Sequence, residues 1–306
     1  MSNDWKTKAL EMYSQGLNKQ EIATKLGKSR ETVRDYVNKH TAAKEQDKSK
    51  THLYIPDSQI RPDVSTDFLG WIGEYIVRKR PDVIIHGGDF ADMESLSSYD
   101  KGKRTAEGKR VQADIDAAIL GMTKLLQPLR RLQEEQRLSG EKVYTPRMIM
   151  TLGNHEDRIT RHVNLNPELY GFLSISSLKY KDMGWEVYPF LTPVLVDGIS
   201  YCHFFPNTMT GKPLGGTALS MLKTIGTSFT QGHKQTLDVA TRFLPTNGKQ
   251  QWGIIAGACY EHSEDYKGVQ GNHHWRGIIL KHNVRDGSYD PLFIGLDWLK
   301  KEYGLQ

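Results

Sequence analysis

The chain has 306 residues, of which 25% are charged and 38% hydrophobic, and its formal net charge is +5. This length accommodates one mid-sized catalytic domain and one small module, and no apolar run approaches the roughly 20 residues that cross a bilayer. Two isolated cysteines and a start without a basic, apolar leader argue against a secreted protein, so the sequence predicts a cytoplasmic protein with no membrane partner.

The positive charge is concentrated at one end of the chain. Residues 1–50 contain 11 Lys and Arg against 7 Asp and Glu, a net of +4, so the rest is almost neutral. A basic end on a neutral body favours binding to a polyanion such as nucleic acid. If charge were the only signal, a merely soluble surface would be the favoured explanation.

The first elements are three short helices. Apolar residues recur at helical spacing from Asp4 to His40, with breaks at Gly16 and Gly27. Asn18 and the glutamate three residues later, Glu21, predict a capping box, and Ser29 is a suitable N-cap for the third helix.

The segment QEIATKLGKSRETVRDYV resembles the helix-turn-helix of bacterial and phage DNA-binding proteins. In that resemblance small Ala23 lies where two helices cross, Gly27 makes the tight turn and Val33 faces the core. The third helix would then present these residues to DNA: Arg30, Thr32, Arg34 and Asn38. The alternative is a three-helix bundle used for protein contacts or dimerisation. We predict a helix-turn-helix domain at 1–42 and a flexible linker at 43–51.

Residues 52–306 show an α/β pattern. Strands are predicted at LYIP from residue 53, VIIH from 83 and MIMTL from 148, with helices near 65–79 and 111–137. After residue 185 the strands are closer together, which predicts a second sheet packed on the first.

Each of five predicted strands runs into residues that commonly bind metals, at the sheet edge where α/β proteins place their chemistry. The five segments are Asp57-Ser58-Gln59, Gly88-Asp89 with Asp92, Gly153-Asn154-His155-Glu156, His203, and Gly232-His233-Lys234-Gln235. This series resembles the D-x-H, GD-x-x-D, GNH-[DE], H, GH-x-H pattern of calcineurin-like metallophosphoesterases, over residues 57–235.

The resemblance implies a four-layer α/β/β/α sandwich of two mixed sheets and a two-metal site. One metal would be held by Asp57, Gln59, Asp89 and Gln235, and the other by Asp89, Asn154, His203 and His233. Asp89 would bridge two cations that activate a water as hydroxide for attack on phosphorus. His155 would protonate or stabilise the leaving oxygen, and Asp92 would orient the His155 ring.

The sequence departs from the family pattern at Gln59 and Gln235, where most members have histidine. The motif PDSQ at 56–59 resembles the PD-x-Q of phage-borne members, which predicts a phage origin and a host-cytoplasmic location. Two carboxylates and two amide oxygens favour hard cations, whereas the second site keeps two imidazoles. Mn²⁺ suits both sites and is the predicted cofactor, with Mg²⁺, Fe²⁺ and Zn²⁺ as alternatives.

Basic residues near these motifs are candidate substrate contacts. Arg61 follows the first motif and Arg158 follows the third, where each can reach a phosphate. The segment after Asp92 contains a further cluster, Lys101, Lys103, Arg104, Lys109 and Arg110. It would form a basic flap over the active site that grips a nucleic-acid backbone, or else a solvated loop.

The sequence as a whole predicts a metal-dependent phosphodiesterase, most specifically a nuclease brought to DNA by its helix-turn-helix. One alternative is a phosphomonoesterase acting on protein or nucleotide, with the helical module as a partner-binding domain. Another is a DNA-binding regulator whose two glutamines have abolished phosphoesterase activity.

Overall fold

The computed structural model describes residues 4–46, 49–98, 102–104, 107–263 and 268–304. The chain divides into two compact units, Met1–Ser49 and Lys50–Gln306. Among the described residues, no helix is long and apolar enough to span a membrane.

The smaller unit consists of three helices: α1 (Asp4–Ser14), α2 (Lys19–Leu26) and α3 (Arg30–Gln46). The predicted capping box is confirmed, since Asn18 accepts from the backbone of Gln20 and Glu21 while the Glu21 carboxylate accepts from the backbone of Asn18. Gly27 ends α2 at φ 61°, a conformation that glycine adopts without strain. A small core closes the unit, formed by Ala9, Ile22, Ala23, Val33 and Val37.

The joint between the units is shorter than the sequence indicated. Helix α3 continues to Gln46 and the first strand begins at Lys50. The predicted linker, 43–51, therefore overlaps the last turn of the helix and the start of the strand. Residues 47 and 48 lie outside the described part of the chain.

The larger unit contains two mixed sheets, which confirms the predicted α/β class. The strands are β1 (Lys50–Ile55), β2 (Val83–His86), β3 (Arg147–Thr151), β4 (Glu186–Tyr188), β5 (Val194–Val196), β6 (Ile199–Tyr201), β7 (Ser228–Gln231), β8 (Leu237–Phe243), β9 (Gln250–Ala256), β10 (Gly277–Arg285) and β11 (Ser288–Gly295). The first sheet has the order β11-β10-β1-β2-β3-β4 and the second β5-β6-β7-β9-β8. Strands β1 to β4 are parallel, as are β6, β7 and β9.

The remaining helices are α4 (Asp67–Lys79), α5 (Val111–Ser139), α6 (Asp157–Leu165), α7 (Ala218–Ile225), α8 (Gly268–Gly271) and α9 (Leu296–Tyr303). Alternate side chains of β1 point to different cores, as the two-residue period of a strand requires. Leu53 and Ile55 pack against α4, α5 and α9, whereas Tyr54 packs between the two sheets. Helix α7 covers the outer face of the second sheet. The layers therefore follow the order helix, sheet, sheet, helix.

Two features of this unit differ from the sequence prediction. The late strands do not all form the second sheet, because β10 pairs antiparallel with β1 and carries β11 at its outer edge. Strand β8 is absent from the sequence prediction, since the polar residues Asp238, Thr241 and Arg242 interrupt its apolar residues and it lies at the edge of the second sheet. Long-range pairing, which a local pattern does not contain, decides both features.

Candidate metal centre

Five loops that follow strands converge at one edge of the larger unit. They contain the residues predicted from the sequence motifs: Asp57 and Gln59 after β1, Asp89 after β2, Asn154 and His155 after β3, His203 after β6, and His233 and Gln235 after β7. Glycine permits this approach at two points. A Cβ on Gly153 would lie 2.0 Å from Asp89 Oδ1, and one on Gly232 would lie 2.1 Å from Asp57 Oδ1.

Asp89, His203 and His233 form the tightest group of candidate ligands. Their ligand atoms all lie within 4.8 Å of one another. His203 Nε2 lies 3.2 Å from Asp89 Oδ2 and 3.0 Å from Asn154 Oδ1. The other ring nitrogen, Nδ1, lies 2.8 Å from the carbonyl of Gly87, so Nδ1–H donates there and Nε2 stays directed at the cluster. The structure thus brings together all four residues predicted for the second metal.

The residues predicted for the first metal lie beside this group, around Asp57. Asp57 Oδ1 accepts from the backbone N–H of His233 at 3.0 Å, and Gln235 Oε1 accepts from the Tyr260 hydroxyl at 2.7 Å. Within the described chain, the buried Asp57 Oδ2 and both amide atoms of Gln59 have no hydrogen-bond partner. Buried polar atoms rarely stay unpaired, and an unpaired buried carboxylate oxygen is especially costly. These oxygen donors fit a hard divalent cation.

The electrostatics of the cluster follow from burial and close charges. Burial raises the pKa of Asp57 to about 6. Burial alone would also raise the pKa of Asp89, but the imidazoles of His155 and His203 outweigh it and hold this pKa below its ordinary value. Burial opposes protonation of His203 as well, yet the Asp89 carboxylate raises its pKa to about 9, whereas burial lowers the pKa of His233 to about 4. Asp89 is therefore the anionic centre of the site.

The backbone is strained at the same positions. Four candidate ligands other than glycine have positive φ: Gln59 at 44°, Asp89 at 49°, His233 at 66° and Gln235 at 56°. Each such residue costs about 1–3 kcal/mol, and such residues persist where the surrounding structure fixes them, commonly at functional sites. Strain at these positions favours a functional role for the loops that carry the candidate ligands.

His155 and Asp92 form the predicted catalytic pair. His155 Nδ1–H donates to Asp92 Oδ1 at 2.7 Å, and His155 Nε2 lies 3.7 Å from Asp89 Oδ2. Burial alone would lower the pKa of His155, but the carboxylates of Asp89 and Asp92 raise it above its ordinary value. Asp92 thus orients a ring whose other nitrogen, Nε2, faces the candidate metal cluster.

Both predicted substrate arginines are bound to Asp92. Arg61 Nη1 lies 3.3 Å from Asp92 Oδ2, and Arg158 Nη1 lies 3.2 Å from Asp92 Oδ1. Arg158 also contacts the predicted catalytic histidine, with Nη2 3.2 Å from His155 Nε2. The two guanidinium groups therefore lie at the rim of the cluster, where they can meet an anionic substrate.

Comparison with known proteins gives two matches. A family model described as "Putative ATPase subunit of terminase (gpP-like)" matches residues 4–49, the helical unit alone. The chain is also 25% identical over 216 residues to the "Gene 54 protein" of Mycobacterium phage L5, a match that covers 68% of this chain and 79% of that protein. These similarities support a phage origin.

Glu156 is a site residue to which sequence reasoning gave no role. Its buried carboxylate accepts four backbone N–H groups, from Asp89 at 2.9 Å, Phe90 at 2.7 Å, Ala91 at 3.0 Å and Gly153 at 2.8 Å. It therefore fastens the loop after β2 to the loop after β3. In the sequence, the acidic last position of the GNH-[DE] motif could have indicated this role. Tyr260, the partner of Gln235, had no such signal.

The predicted flap residues Lys103 and Arg104 are exposed. Over the described part of the larger unit, no hydrogen bond joins either of them to a site residue. Lys109 lies closer, because its ammonium is 2.9 Å from Glu94, which in turn is 3.9 Å from Arg61. Lys101 lies outside the described residues.

The four predicted DNA contacts lie exposed on α3. Arg34 is bound to its helix neighbours, Asp35 at 2.9 Å and Glu31 at 3.5 Å. Asn38 accepts from Lys19 at 2.7 Å, and the hydroxyl of Thr32 lies 2.7 Å from that of Ser29. Binding to DNA would therefore require Arg34 to exchange its carboxylate partners for phosphate or base contacts.

Proposed function

We propose that the chain is a metal-dependent phosphodiesterase that acts on DNA, with the calcineurin-like four-layer fold. The observation that carries the proposal is the convergence of Asp89, His203 and His233 within 4.8 Å, beside a buried Asp57 with an unpaired carboxylate oxygen. Two cations of a hard or borderline kind, with Mn²⁺ as the best match, would activate water and neutralise charge on the phosphoryl oxygens. The helix–sheet–sheet–helix order supports the fold.

The protein groups in this proposal have separate roles. Asp92 holds the proton of His155 on Nδ1, so that Nε2 faces the position of the leaving oxygen. His155, in its protonated form, would give a proton to that oxygen. Arg61 and Arg158 would release part of their contact with Asp92 and bind phosphoryl oxygens.

The helical unit supplies the argument for DNA. Its match to a terminase family and its net positive charge support a DNA-directed role. All four predicted DNA contacts are exposed on α3, and Arg30, Arg34 and Asn38, spaced four residues apart, share one face that a groove or a phosphate backbone can reach.

The activity is tested with the purified full chain and Mn²⁺. Bis-p-nitrophenyl phosphate should be hydrolysed faster than the monoester, and a chelator should abolish turnover. His155→Ala should lower kcat by about 10²–10⁴-fold, the usual contribution of a general acid. His282→Ala, an exposed histidine on β10, is the matched control and should leave kcat unchanged. Preference for the monoester would instead favour a phosphatase, and equal activity of the wild type and His155→Ala would reject the proposed mechanism.

DNA binding is tested separately by its salt dependence. Arg30→Ala should weaken binding and reduce the slope of log K against log salt by about 1 if Arg30 contacts a phosphate. Lys25→Ala on α2 removes the same charge away from α3 and is the control. Equal losses from the two substitutions would show that total charge, and not the α3 surface, governs binding.

A further inference from the structure

A cleft with a volume of about 450 Å³ opens beside the candidate metal centre. It lies between α6, the 3₁₀ turn Ile175–Leu178 and the segment that follows β4. Its volume falls in the range of roughly 300–1,000 Å³ of small-molecule sites. None of the roles assigned above uses this cleft.

One side of the cleft adjoins the loop after β3, which carries site residues. Leu152 and Asp157 line it and flank the loop that carries Asn154 and His155. Tyr180 also lines it, and its hydroxyl lies 3.5 Å from Glu156 Oε1. A ligand in the cleft therefore lies directly beside the catalytic loop.

The opposite wall reaches the candidate ligands through aromatic rings in tilted and edge-to-face contact. The Phe190 ring centroid lies 6.5 Å from that of His203 and 5.4 Å from that of Phe204. Phe204 in turn lies 4.7 Å from the ring of His233. The Phe190 ring is thus close to the candidate metal cluster.

The chemistry of the cleft suits a neutral planar group. Val187, Pro189 and Phe190 provide an apolar wall, and Thr160 and Ser176 provide hydroxyl groups. The charged residues that line it are two lysines and two aspartates, so their formal charges cancel: Lys179, Lys181, Asp157 and Asp182. A second phosphate would need unbalanced positive charge, whereas a base needs an apolar face and hydrogen bonds at its edge.

We infer that this cleft binds the base of the nucleotide attached to the scissile phosphate, with Phe190 as the stacking surface. The inference rests on the proposed phosphodiesterase function and narrows its substrate to nucleotides. A base and its phosphate are one sugar apart, which matches a cleft that shares its walls with the catalytic loop. A base held there would orient the phosphate toward the metal cluster.

The test uses deoxyadenosine, which has no phosphate, and deoxyribose as the probe without a base. Equilibrium binding to the full chain is measured by ligand-detected NMR and calorimetry, so the readout is independent of turnover. Deoxyadenosine should bind and deoxyribose should not. Phe190→Ala should raise the Kd of deoxyadenosine by about 5- to 150-fold, the loss expected for one base–aromatic stack, and Phe190→Trp should restore binding.

Two further variants separate the cleft from general effects on folding. Thr160→Trp fills the cleft from the exposed side of α6 without removing a packed side chain, and should abolish deoxyadenosine binding. Phe243→Ala removes a phenylalanine that is 64% exposed on β8 and should leave the Kd unchanged.

Cleavage provides a second readout. The substrates are a series of oligonucleotides in which one position at a time lacks its base. Each missing base should reduce cleavage most at the adjacent phosphate, and Phe190→Ala should show no such local reduction. Diester hydrolysis by a wild type that binds deoxyadenosine no better than deoxyribose would overturn the inference and leave the proposed function standing. Binding that depends on Phe190, without any diester hydrolysis, would support the cleft and count against the proposed function.

Discussion

Replacing Glu156 with glutamine tests whether this residue holds together the loops after β2 and β3. Glu156 Oε1 accepts from Phe90 and Ala91, and Oε2 accepts from Asp89 and Gly153. The amide of glutamine keeps one acceptor oxygen, so two of the four buried N–H groups would face an NH₂ group. Each stranded buried donor costs about 1–3 kcal/mol, which gives a loss of about 2–6 kcal/mol in the free energy of unfolding. That is a large part of the roughly 5–15 kcal/mol available to a domain.

The assay is urea unfolding monitored by tryptophan fluorescence. A change in the unfolding midpoint reports a change in stability when the m-value is the same in wild type and variant. Five of the six tryptophans belong to the larger unit, so the signal reports mainly on the fold that carries the site. Glu186→Gln is the matched control, because Glu186 pairs with Arg147 at 2.7 Å on the surface and should cost at most about 1 kcal/mol. If Glu156→Gln loses no more free energy of unfolding than the control, Glu156 does not hold the two loops together. Misplaced loops should also weaken Mn²⁺ binding by about 10- to 100-fold.

Three other substitutions probe the site and the buried charges. Tyr260→Phe removes the hydroxyl that orients the Gln235 amide, so Mn²⁺ affinity measured by calorimetry should fall by about tenfold; unchanged affinity would argue against Gln235 as a ligand. Burial lowers the pKa of Lys281 well below its ordinary value, so between that lowered pKa and about pH 10 the unfolded chain binds more protons than the folded one, and stability rises with pH across this window. Lys281→Met should remove this rise in stability, which is up to about 1.4 kcal/mol per pH unit, and should increase stability at pH 7. If stability depends on pH as steeply in the variant as in the wild type, the prediction is wrong. The hydrogen bond from His52 lowers the pKa of Asp197 to about 2. The stabilisation that ionised Asp197 gives the folded state is therefore present above about pH 4 and is lost as the pH falls toward 2. Asp197→Asn should reduce the loss of stability between about pH 4 and pH 2. The reduction should be about 1 kcal/mol or less, because Asp197 is partly exposed, and a larger loss of stability in the variant would contradict the prediction.

The local sequence determined the elements and the chemistry at their ends. Helix α2 could be located from Asn18, Glu21 and Gly27, because a capping box and a glycine C-cap act over a few residues. The strands β1, β2 and β3 were predictable from their apolar runs, and each candidate ligand was recognisable from its place just after such a strand. The structure brings these residues together, and their role as metal ligands is a prediction that metal binding will test.

Tertiary structure alone decided how distant segments meet. The pairing of β10 with β1 and the edge position of β8 depend on contacts between residues far apart in the chain. The same is true of Glu156, whose acceptor role requires the loop after β2 to lie within 3 Å of its carboxylate. The cleft lined by Phe190 also exists only after α6 and the segment beyond β4 pack together. A sequence pattern records which groups are available, whereas the partners of a buried carboxylate and the shape of a cleft arise from packing.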